Sequence, residues 1–161
     1  MKSNIIARSG MIVALNIVVL LLTLLFKTIT ISLLALTTII NGIFCSKHGA
    51  KITFLSYIAS SILAFFLVPD RNVFLFYSVF FGNYAVIKAL IESKNNLVIE
   101  WIYKIIVSII YAVVLIFISK VLIVSLPFSH YIFIGVFMML FIVFDVFLSV
   151  FLSQIIPKIK F

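Results

Sequence analysis

Residues 77–92 read YSVFFGNYAVIKALIE, an apolar run that nonetheless holds Asn83 and Lys88. At steps of three or four residues Tyr77, Phe81, Tyr84, Lys88 and Glu92 fall on one helical face. The stripe runs from aromatic to cationic to anionic, so this face looks into protein or a cavity rather than lipid. The rest of the chain makes lipid the solvent. Apolar residues account for 66% of the 161 positions, charged residues for 10%, and Phe alone occurs 18 times. A soluble domain carries about 25% charged residues. That much apolar surface cannot be hidden in a water-soluble core, and an all-α integral membrane protein follows.

The apolar runs outward from this stretch are 5–26, 28–46, 52–68, 73–91, 98–119 and 131–152. Each is roughly 17–22 residues long, enough to cross about 30 Å of hydrocarbon as a helix. The predicted architecture is a single domain of six transmembrane helices. The first run is too long for a signal-peptide core and is followed by no small-residue cleavage pattern, so it is expected to be retained. Lys and Arg partition unevenly between the two sets of loops. Lys2, Arg8, Lys47, Lys51, Lys88, Lys94, Lys104, Lys158 and Lys160 lie toward one side, against Lys27, Arg71 and Lys120 on the other. The positive-inside rule then places both termini in the cytoplasm. The net charge of +8 is spread in ones and twos between apolar runs, so it reads as membrane flanking and not as a nucleic-acid surface.

Small and polar residues recur at helical spacing. In the first helix Ser9, Asn16 and Thr23 make a polar stripe, and Gly10 and Ala14 form a small-xxx-small pair nearly opposite Asn16. That pair either packs inside the same bundle or lets another helix approach. Thr38, Gly42 and Ser46 in the second helix, beside Asn41, and Ser56, Ser60 and Ala64 in the third predict a tight hairpin across the turn KHGAK. His48 and His130 are expected at the interface, and Asp70 and Arg71 in a solvated turn. Glu100 and Lys104, spaced i,i+4 beside the belt residues Trp101 and Tyr103, are expected at the membrane surface. The apolar loop Lys120–His130, containing Pro127, is expected to fold over a cavity mouth.

Asp145 in FIVFDVFLSVF is the acid at membrane depth, where an unpartnered charge costs about 2.5–3.5 kcal/mol. Lys88 and Asp145 each lie roughly 21–22 Å from the outer face by helical rise. Two readings follow. Either they pair, with Asn83 and Tyr84 as neighbours in an intramembrane polar cluster, or Lys88 snorkels while Asp145 stays protonated or caps Ser149. The lone Cys45 can form no internal disulfide. No phosphate-binding loop, zinc-protease motif or nucleophile elbow is present, and neither a metal nor another cofactor is expected. The expectation is a protein that is not an enzyme.

Six short helices, both termini inside, and the opening ARSGMIVALNIVVLLLTLL resemble the substrate-binding S component of an energy-coupling factor (ECF) transporter. FFGNYAVIKALIE and FDVFLSVF also resemble features of small six-helix membrane proteins of bacteria. The first resemblance implies uptake of a small, vitamin-like molecule across a bacterial cell membrane. It also implies docking of Gly10 and Ala14 on a transmembrane T component driven by ATPase subunits. The ligand cavity would lie in the outer half, where Asn16, Thr23, Tyr77 and Tyr111 are the candidates. So few polar groups there point to a hydrophobic ligand. Two other readings stand beside it: a membrane scaffold or assembly factor acting through helix–helix contacts, and an ion-coupled carrier built on Asp145 and Lys88.

Overall fold

The computed structural model describes residues 2–93, 96–121 and 129–155. Among these the chain is helical throughout its regular structure: α1 (Lys2–Leu25), a 3₁₀ turn (Lys27–Ile29), α2 (Thr30–His48), α3 (Ala50–Leu67), α4 (Arg71–Phe76), a π-helical turn (Tyr77–Phe81), α5 (Tyr84–Glu92), α6 (Leu97–Val121) and α7 (His130–Ile155). Six segments are long and apolar enough to span a membrane, with α4, the π turn and α5 making up the fourth. The expected span boundaries agree within a few residues. The expected apolar loop 120–130 lies largely outside the described residues.

Polar side chains are buried beside the apolar core, and large apolar ones cover the outside. Asn16, Thr37, Thr38, Asn41, Thr53 and Ser60 are fully buried, whereas Ile31, Phe66 and Met139 are more than 70% exposed. Polar groups inside and hydrocarbon outside suit a bilayer, because lipid gives apolar side chains no reason to leave it. This distribution makes the protein a multi-pass membrane protein.

The chain forms two compact units, residues 1–90 and 91–161. In the first, α1 packs on α2 and α3, and α4 with the π turn packs on α2. Gly49, at φ +84°, joins α2 directly to α3. Glycine is favoured there because a Cβ disfavours this left-handed conformation. Of the residues expected in the hairpin seam, Thr38, Gly42, Ser56, Ser60 and Ala64 are buried, and Thr38 and Ser60 bond the fourth span. Ser46, expected in that seam, is exposed and donates to its own Ile43 carbonyl (2.8 Å). It stands two residues before the end of α2. Asp70 caps α4 by accepting from Asn72 N (2.9 Å), and the exposed Arg71 lies over the Phe65 ring, as a turn at the interface requires.

In the second unit α6 and α7 pack as an antiparallel pair. Lys104 and Asp145, in the first half of one and the second half of the other, are in contact. Asn96 caps α6 through its side-chain oxygen, which accepts from Val98 N.

A break in the fourth span and the candidate functional site

The continuous helix expected over 73–91 is interrupted. After Phe76 the chain widens by one residue per turn, and Gly82 N donates to Tyr77 O (2.8 Å), an i→i−5 bond. A turn at Gly82–Asn83 follows before α5 begins. π turns free backbone carbonyls, and at membrane depth a free carbonyl needs a partner from the protein. The neighbouring helices supply them. Thr38 Oγ1 donates to Phe81 O (2.7 Å), and Asn41 Nδ2 donates to Gly82 O (2.9 Å). From α3 the Tyr57 hydroxyl donates to Ser78 O, and Ser60 Oγ meets the Tyr77 hydroxyl at 2.5 Å. Regular i→i−4 pairing through this segment would leave Thr38, Asn41 and Tyr57 to compete with backbone donors for these carbonyls.

Gly82 is required by space. A methyl group there would lie 2.7 Å from the Tyr57 ring and 2.9 Å from the Tyr77 carbonyl oxygen. Tyr57 can bond Ser78 O across this position because nothing projects from it.

Asn16 connects α1 to the same break. Its Nδ2 donates to Asn41 Oδ1 (2.8 Å), so a directional chain runs from Asn16 through Asn41 to the Gly82 carbonyl. The direction is set at its far end. A carbonyl can only accept, so Asn41 must turn its NH₂ to Gly82 and its oxygen to Asn16. Asn16 must then present its own NH₂, and its Oδ1 is left buried without a partner.

Of the four cavity candidates, Asn16 and Tyr77 belong to this network. The Thr23 hydroxyl instead donates to Leu20 O of its own helix (2.6 Å). Tyr111 is buried on α6, in the other unit. Gly10 and Ala14 are exposed on α1, and a methyl group built on Gly10 meets nothing within 4 Å. Asn83 is half-buried in the turn, and Tyr84 and Lys88 are buried on α5.

The second unit holds a charged cluster. Lys104 Nζ donates to Asp145 Oδ2 (2.7 Å) and to Glu92 Oε1 (3.1 Å), and it lies 5.6 Å from the centre of the Trp101 ring. The surface position expected for Lys104, paired with Glu100, is therefore replaced by a buried one. The reason is the face on which it stands. Lys104, Ser108, Tyr111, Leu115 and Ser119 recur at helical steps and are all buried, so the lysine follows the packed side of α6. Trp101 and Tyr103 remain exposed as belt residues should. Ser149 Oγ donates to the Asp145 backbone carbonyl (2.9 Å) and not to its carboxylate. A crevice with room for about one water molecule opens beside the ion pair, lined by Trp101, Ser108, Met138 and Phe141 among others.

No family model, curated protein or solved structure matches the chain. What it does has to be argued from these two clusters.

The residues missed in the sequence are Thr38, Asn41 and Gly82 as partners in the break, and Lys104 as a cation beside Asp145. Signals existed for both. Thr38 and Asn41 share a face at i,i+3, and Gly-Asn inside an apolar run is a turn dipeptide.

Proposed function

We propose that this protein is a substrate-binding membrane subunit for uptake of a small molecule, resembling an ECF S component, that docks on a partner through α1. The observation that carries the reading is the interrupted fourth span. Discontinuous helices at membrane depth are costly, and where they occur in transport proteins they commonly build the substrate site. Here the interruption lies against α2 and α3, and the hydrogen-bond chain that leads from it through Asn41 to α1 ends in a buried acceptor without a donor. Gly10 and Ala14 supply the second half of the reading: they are exposed, with open space around Gly10, as a face awaiting a close helix would be. The partner would be a transmembrane T component with its ATPase subunits, and the setting a bacterial cell membrane with both termini inside.

The test is joint purification and ligand response. Gly10→Leu and Ala14→Leu should abolish recovery of the T component and ATPases while leaving thermal unfolding unchanged, since neither position is packed. One member of a panel of vitamin-like molecules should raise the melting temperature. A second reading, a membrane scaffold acting by helix–helix contacts, is favoured by the fact that the broken segment's own carbonyls are already occupied by Thr38, Asn41 and Tyr57. It prevails if no ligand stabilises the protein and no ATPase follows it.

A further inference from the structure

The geometry points to Asn16 Oδ1 as the polar contact of a ligand subsite at the break in the fourth span, one that takes an uncharged molecule through a hydroxyl or N–H donor. This rests on the small-molecule reading above and deepens it. Asn16 is fully buried, and its oxygen is the one amide atom of the chain Asn16–Asn41–Gly82 with no partner. Turning the amide over does not relieve this. It would set the Asn16 oxygen against the Asn41 oxygen, and turning both would set Asn41 Oδ1 against the Gly82 carbonyl. The unmet acceptor is thus imposed by the helix break itself.

A buried acceptor without a donor is costly, so the site is built to be completed from outside the chain. What completes it must donate, because an amide oxygen can only accept, and the hydrogens of the nearby polar side chains are already committed: Thr38 Oγ1 gives its own to Phe81 O, and Asn41 Nδ2 donates to Gly82 O. An uncharged guest fits best. Asn16, Thr38, Asn41, Ser60 and Tyr77, which form the network, are all neutral, and an ion would lose its hydration with no counter-charge among them.

Matched probes test this on the intact protein in lipid nanodiscs, with ¹⁵N-labelled asparagine reporting the Asn16 side-chain amide. Phenol should shift the Asn16 amide resonance and raise the melting temperature. Anisole, the same ring with the donor methylated, should do neither at equal membrane concentration, and benzylammonium should bind more weakly than phenol. Asn16→Leu should weaken phenol binding about tenfold or more. If that variant does not fold, the phenol and anisole comparison on the unaltered protein decides alone. Equal responses to phenol and anisole would overturn the inference, as would phenol binding that survives Asn16→Leu. So would a slowly exchanging water at the Asn16 amide that phenol fails to displace. A vitamin-like ligand that stabilises the protein without moving the Asn16 resonance would sink this subsite and leave the transport reading standing. Failure of the unaltered protein to purify with any ATPase module, beside a phenol response that anisole does not share, would sink the transport reading and leave this subsite standing.

Discussion

Lys104 and Asp145 show how one pair can be both expensive and necessary. Each charge loses its water, and their attraction offsets that loss only because the contact is short and Glu92 accepts a second bond. Removing one partner should therefore cost about 3–5 kcal/mol, more than replacing both. Lys104→Met and Asp145→Leu should each lower the melting temperature sharply in detergent, and the double variant should recover much of the loss; simple additivity would count against the pair. Lys88, expected to face Asp145, is itself buried, and the same cycle with Lys88→Met measures whether the two couple. Gly82→Ala is the smallest change with a large expected effect. The added methyl must displace the Tyr57 ring or the Tyr77 carbonyl, at about 1–3 kcal/mol, read as a lower unfolding temperature.

The fourth span is the element where reading by hydropathy stops short. Its apolar length was visible, and so was the stripe Tyr77, Phe81, Tyr84 and Lys88, all of which are buried. The break was not, because hydropathy averages side chains and says nothing of where backbone hydrogen bonds go. An apolar run implies regular i→i−4 pairing through Gly82, which would give Thr38 and Asn41 no carbonyls to bond. The stripe of α6 was misread for a related reason: Lys104 was placed by its charge, although its spacing with Ser108 and Tyr111 put it on the packed face. An element-level variant separates the two kinds of support. Asn41→Leu removes the donor to Gly82 O and the acceptor from Asn16 while keeping the bulk. It should destabilise by about 1–3 kcal/mol, more than Ser46→Ala, whose hydroxyl is exposed and serves only its own helix.

At the scale of the whole molecule the decisive quantity is which surface faces lipid. The fourth span, Arg71–Glu92, is the least apolar of the six and the most buried, whereas Asn4–Leu25 is largely exposed. The six spans were legible because a bilayer demands long uncharged runs whatever the helices touch. The polar interior was legible only as stripes, since which stripe meets which depends on packing. This has a consequence for how the protein is made. A helix whose carbonyls are released at Ser78, Phe81 and Gly82 has no partners for them in bare lipid; they exist only once α2 and α3 are in place. Synthesis from the N-terminus delivers those partners first. A chain stopped after Leu67 should integrate stably, whereas Arg71–Glu92 carried alone on a reporter should integrate poorly and gain efficiency when residues 1–70 precede it. The order of the helices along the chain is then a working part of the protein, because the fourth span is a guest that enters a berth the first three have already prepared.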